Sequence, residues 1–225
     1  MEHAHEEIHP HRSARRGQDC LVRLLERNGY AVVEEAATDV IALAHAHGRP
    51  EPWKTPSFID DIVALQRQRQ VRTVTWLDET VVFDRSPICT WALCEFLGRQ
   101  PPASLVEEVE RIEREGVYDR RVFFIENLGY CTPTAARRIS FEESLRFEEV
   151  HAQAYRRFRY DCVPIAPADI RSRFEVLRRQ MSPLKQPAPL SPIKDGLPPG
   201  ADLVRVLSVS FHHLNQYNHP PGRTG

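Results

Sequence analysis

No stretch of this chain approaches the roughly 20 consecutive apolar residues that a membrane-spanning helix needs. Charge of one sign is missing too. In 225 residues, 30 Lys and Arg stand against 31 Asp and Glu, so composition gives no electrostatic argument for a nucleic acid or a membrane surface as partner. The opening residues, MEHAHEEIHPH, lack the apolar segment of a secretory signal. The five cysteines, Cys20, Cys89, Cys94, Cys131 and Cys162, form no C-x-x-C pair. An odd, unpatterned set reads as reduced thiols, and the expected location is cytoplasmic. Internal repeats are absent as well.

What is present suits a packed domain. With 41% apolar and 27% charged residues, the chain can bury a core of ordinary α/β size and has length left for a tail. The leucines of Leu21 to Arg27 share one helical face, and Asn28-Gly29 supplies a stop. Short apolar runs of strand type follow at Tyr30–Glu34, Thr80–Phe83, Arg121–Ile125 and Tyr160–Ile165. Helical patterns separate them at Ala36–His47, Phe58–Gln70, Pro87–Leu97, Ser104–Glu115 and Ile139–Phe158, the last opening on a capping box at Ser140–Ser144, and a closing helix covers Ala168–Met181. Strands that are apolar throughout and alternate with helices predict a parallel sheet covered on both faces. After Met181 the segment SPLKQPAPLSPIKDGLPPG is proline-rich. It predicts an extended or disordered tail over 182–225 with one strand-like segment near its end.

The strings LLERNGYAVVEEAATDVIA, FIDDIVALQRQRQ, VVFDRSP and ARRISFEESLRFEEVHAQAYRRFRYDCVPI carry a resemblance through their order and spacing. From about Leu21 to Met181 the chain resembles small P-loop ATPases of the AAA-type superfamily, a family that includes ribosylnicotinamide-kinase-like domains. The resemblance implies a P-loop NTPase-like three-layer α/β sandwich with a mostly parallel sheet, and it implies ATP and Mg²⁺ as cofactors. Such proteins open with a central strand and G-x-x-x-x-G-K-[ST] ahead of the helix that corresponds to LVRLLERNG. Here that stretch is HRSARRGQDC. Gly17, Gln18 and Asp19 stand where the P-loop sets Gly-Lys-Thr. Gln18 brings no cation, and Asp19 repels a triphosphate that the loop's Lys and backbone N–H groups would hold.

Codon arithmetic offers a reason. Residues 1–20, back-translated and read one base later, can give WNMPTKKFILTGAPGAGKTA, which is a strand followed by a complete P-loop running into LVRLL. One base missing near codon 20 would therefore put residues 1–20 out of frame. In the frame as it stands, Pro10 cannot donate a ladder hydrogen bond, so a central first strand is degraded there. The expected organisation is an aberrant segment over 1–20, a P-loop NTPase/kinase-like domain over 21–181 and the tail.

Asp84-Arg85-Ser86 follows the buried run VVF, at the carboxyl end of a strand where open α/β sheets bind ligands. By resemblance, Asp84 would hold the water shell of Mg²⁺ or accept the proton of an acceptor hydroxyl, and Arg85 with Ser86 would contact substrate. A solvated Asp-Arg turn is the plainer reading. Glu34 and Glu35 end the preceding strand and would bind a hydroxylated acceptor, or they serve as carboxylates at a helix N-terminus, where the dipole favours them. Arg137 and Arg138 occupy the position of lid arginines that neutralise charge on a transferring phosphoryl group, or they form a solvated basic turn. Arg156, Arg157 and Arg159 read as surface charge, and Cys89 and Cys94 as core packing. His3, His5, His9 and His11 have metal-tract spacing, which an out-of-frame origin would make accidental. Two functions stay open: phosphoryl transfer from ATP to a small hydroxylated acceptor, impaired without the P-loop, and a degenerate, non-catalytic module that binds a partner.

Overall fold

The computed structural model describes residues 16–73, 80–126, 141–181 and 206–211, with the backbone alone at 16–20, 141 and 206–211. Helix α1 (Arg16–Arg27) buries Leu21, Val22 and Leu25. It stops where the Asn28 side-chain amide donates to the Leu24 carbonyl at 2.7 Å and Gly29 takes a φ of 80°, a conformation glycine adopts without penalty. Strand β1 (Ala31–Val33) follows, then α2 (Ala36–Ala46), a 3₁₀ turn at Pro52–Lys54, and α3 (Phe58–Thr73). Strand β2 (Val81–Asp84) leads into α4 (Pro87–Phe96), whose first-turn proline has the φ a helix requires and no donor to waste. Helix α5 (Ala103–Glu115) ends on left-handed Gly116 and feeds β3 (Tyr118–Ile125). Helix α6 (Phe141–Arg157), β4 (Asp161–Ile165) and α7 (Ile170–Met181) complete the order before β5 (Val206–Phe211). Asp169 caps α7, accepting the backbone N–H groups of Arg171 at 3.0 Å and Ser172 at 3.1 Å.

The five strands run in the order β1-β2-β5-β3-β4, and every neighbouring pair is parallel. Strand alternation distributes their side chains between two cores. Val81, Phe83, Val122 and Phe124 face one side with Ile62, Ile88, Leu105 and Phe147. Val82, Phe123 and Ile125 face the other with Leu21, Leu25, Phe174 and Leu177. The molecule is thus a three-layer α/β sandwich, with α1 and α7 on one face and α3 to α6 on the other. Each fully buried Leu, Ile or Phe contributes about 1.5–3 kcal/mol relative to an exposed position.

The centre of the sheet departs from expectation. The region expected to be a tail contains β5, and this strand stands between β2 and β3, with Val81↔Val206 to Asp84↔Val209 on one side and Ile125↔Phe211 on the other. Residues 206–211 are therefore a paired strand rather than part of a disordered tail. The signal was the one strand-like run after the prolines. Residues 1–15, where a degraded first strand is expected, lie outside the described residues, although α1 already begins at Arg16 within the segment 1–20. No helix among the described residues is long and apolar enough to cross a membrane.

Candidate functional site

Parallel strands present all their carboxyl ends at one edge, and the charged residues collect there. Pairing of Val33 with Phe83 sets Glu34 and Glu35, which follow β1, beside Asp84 and Arg85 at the end of β2. Arg85 takes a φ of 74°, left-handed backbone that costs a non-glycine residue about 1–2 kcal/mol. Such an outlier at a strand-to-helix turn points to a held side chain. Its Nε lies 2.7 Å from Glu35 Oε1, with the arginine only 8% exposed and the glutamate 21%. The two sequence candidates Glu35 and Arg85 are thus one half-buried ion pair.

Glu34 is separated from its neighbour. Its carboxylate meets Arg23 of α1 at 2.6 Å, and its carbonyl accepts from Arg69 at 2.7 Å. Adjacent residues leaving a strand face opposite sides of the sheet, so Glu34 belongs to the α1 layer and Glu35 to the α3–α4 layer. Asp84 closes β2 at the same edge, half-buried. Ser86 is 1% exposed, and its Oγ lies 2.9 Å from the Tyr155 hydroxyl of α6. This bond ties the start of α4 to α6. Arg137 and Arg138 lie outside the described residues. Gly17, Gln18 and Asp19 fall in the first turn of α1, where the backbone is helical.

Helix α6 grips the arginine from the far side. The Phe147 ring centroid lies 5.9 Å from the Arg85 guanidinium carbon and 4.0 Å from the His151 ring. His151 Nδ1 is 2.9 Å from the Phe147 carbonyl. A carbonyl can only accept, so the hydrogen sits on Nδ1 and Nε2 bears none. Burial, and secondly the Arg85 guanidinium, push the His151 pKa down to about 3. The imidazole is neutral, which places no second cation against Arg85.

A narrow cleft of about 10 Å³, room for about one water, lies beside the pair, lined by Glu35, Arg85, Gln66 and Thr90 with Ala37, Ile62, Cys89 and Leu93. Thr90 donates to the Gln66 side-chain carbonyl at 3.1 Å. The cysteines are core elements. Cys89 Sγ is 2.9 Å from the Tyr155 hydroxyl, and burial pushes the Cys94 thiol up to about 11. Arg156 and Arg157 are exposed and pair with Glu149 and Glu95.

Gln66, Thr90, Phe147 and His151 were not singled out from the sequence. For the last two a signal existed: Phe147, His151 and Tyr155 recur every four residues along α6, which sets polar rings on a core-facing stripe. Gln66 likewise extends the buried stripe of Ile59, Ile62 and Val63 on α3.

A fully parallel sheet between two helical layers, with charge gathered at the strands' carboxyl ends, is the architecture of α/β domains that bind ligands at that edge. The chain belongs to a family of AAA domains, whose family model matches residues 17–173, well over half its length. This is a nucleotide-binding family of the P-loop ATPase and kinase type. No curated protein and no solved structure matches the chain.

Proposed function

We propose that this domain is the acceptor-binding part of an ATP-dependent phosphoryl-transfer protein, a small-molecule kinase or ATPase. The observation that carries the reading is the Glu35–Arg85 pair, 2.7 Å apart at the carboxyl edge and opening on the cleft. Glu35 is placed to accept a hydrogen bond from an acceptor hydroxyl, and Arg85 holds that carboxylate in position. Asp84 is the residue at this edge suited to an Mg²⁺ water shell, and Arg137 and Arg138 would act as lid arginines.

The nucleotide end does not fit its ligand in the chain as it stands. The first turn of α1 is Arg16-Gly17-Gln18-Asp19, and Gln18 and Asp19 stand where the P-loop sets the Lys and Thr that hold the triphosphate and Mg²⁺. No step through ATP is therefore assigned to these residues. A second reading, a non-catalytic module, is favoured by one feature: among the described residues, β5 is the strand that stands between β2 and β3.

The test is calorimetry with Mg-ATP on two proteins, the chain as it stands and one whose first 20 residues are WNMPTKKFILTGAPGAGKTA. Binding by the second alone supports the proposal. Equal binding by both removes the account of the missing loop, and binding by neither favours the non-catalytic module.

A further inference from the structure

The narrow cleft lies where several elements meet. Glu35 enters it from the turn between β1 and α2, Arg85 from the turn between β2 and α4, Thr90 from α4 and Gln66 from α3, with Ile62 and Leu93 as apolar wall. Gln66 is the member whose chemistry is left over. It is buried, with 8% of the residue exposed, on a face of α3 otherwise given to Ile59, Ile62 and Val63. The Thr90 hydroxyl donates to its Oε1 at 3.1 Å, and among the described residues nothing accepts from its Nε2. That nitrogen is not sealed in, and the open space bordering Gln66 is the cleft. An amide N–H taken out of bulk water and left without an acceptor is costly, so such groups are met by a protein partner or by ordered water.

Glu35 has capacity to spare as well. Its Oε1 accepts from Arg85 at 2.7 Å and its Oε2 from Thr38 at 2.8 Å, whereas a carboxylate offers about four lone-pair sites. Thr90, having given its proton to Gln66, keeps the lone pairs of its oxygen. Size and charge then choose the occupant. A volume of about 10 Å³ admits one non-hydrogen atom. Glu35 and Arg85 neutralise each other, so neither an anion nor a cation meets a net charge there. An ammonium or a metal ion cannot accept from Gln66, and a halide cannot donate to Glu35. A water molecule does both.

We propose that this cleft is the site of one bound water, which accepts from Gln66 Nε2 and donates to the Glu35 carboxylate and to Thr90 Oγ1. The water links α3 and α4 to the carboxylate at the end of β1. It is also the atom that anything approaching Glu35 through the cleft has to displace. The inference goes beyond the phosphoryl-transfer reading and does not depend on it.

A high-resolution crystal structure of the full chain, with Gln66→Leu beside it, tests the site. In the native chain one water should lie about 2.7–3.2 Å from both Gln66 Nε2 and a Glu35 oxygen. In Gln66→Leu, which keeps the bulk of the side chain and removes the amide, that water should be lost. If crystals do not form or the variant does not fold, oxygen-17 relaxation dispersion on the native chain and on Thr90→Val decides, and the native chain should hold one more long-lived water than the variant. A dry cleft, a water that touches neither Gln66 nor Glu35, a water unmoved in Gln66→Leu, or equal counts by relaxation would each overturn the inference. An occupied cleft leaves the phosphoryl-transfer reading to the Mg-ATP titration, and a dry one removes only the water, so the two fail separately.

Discussion

Acid should weaken this fold through one imidazole. His151 is fully buried and held neutral, its pKa pushed down to about 3 by burial and by the neighbouring Arg85. In the unfolded chain a histidine titrates near pH 6.5. As pH falls below that value the unfolded state takes up a proton that the folded state refuses, so stability declines until the folded imidazole itself titrates. The contribution is complete above about pH 6.5 and is lost between there and about pH 3. With about 1.36 kcal/mol for each pH unit of separation, moving from about pH 7.5 to about pH 5 should cost about 2 kcal/mol from this residue alone. Against a typical stability of about 5–15 kcal/mol the loss is easily measured. Urea unfolding at both pH values, on the native chain and on His151→Gln, isolates it, because carboxylates titrate equally in both proteins. The native chain should lose about 2 kcal/mol more than the variant over that interval. Equal losses in the two proteins would refute the argument, as would an imidazole resonance titrating near its ordinary value in the folded state.

Three further outcomes follow from single contacts. Glu108, 1% exposed, binds Arg111 through both oxygens at 2.9 and 2.6 Å; Glu108→Gln weakens these two charge-assisted bonds, leaves Arg111 with Glu115 at 2.7 Å, and should cost about 1.5–3 kcal/mol in urea unfolding. Tyr155→Phe removes the buried hydroxyl that meets both Ser86 and Cys89 at 2.9 Å, and should lower stability by about 1–2 kcal/mol with no change in secondary structure by circular dichroism. Gly116 has a φ of 59° with nothing near a hypothetical Cβ, so Gly116→Ala should cost about 1 kcal/mol through backbone strain alone, and thermal unfolding would show it.

Most of the local structure was legible in the chain. The alternation of apolar runs with helical stripes placed β1 to β4 and α1 to α7 within a few residues, because each element is specified by periodicity and by stops such as Asn28-Gly29. Asp84, Arg85 and Glu35 could be placed at a strand's carboxyl end for the same reason. Their pairing could not be read that way. Glu34 and Glu35 are equivalent as sequence, and only the sheet, by turning one toward Arg23 and the other toward Arg85, separates a surface ion pair from a cleft residue. Nor could Phe147 and His151 be linked to Arg85 across the intervening residues, since side-chain neighbours from distant segments are set by how α6 packs on α4.

The sequence by itself therefore determined a parallel α/β domain of the AAA type and the lack of the P-loop's Lys-Thr at Gln18 and Asp19, because both are properties of local pattern and residue chemistry. Only the tertiary structure decided which segment stands at the middle of the sheet. Val206–Phe211 looks like any short apolar run, and its place between β2 and β3 follows from two unpaired backbone edges that had to be satisfied once the helices had covered them.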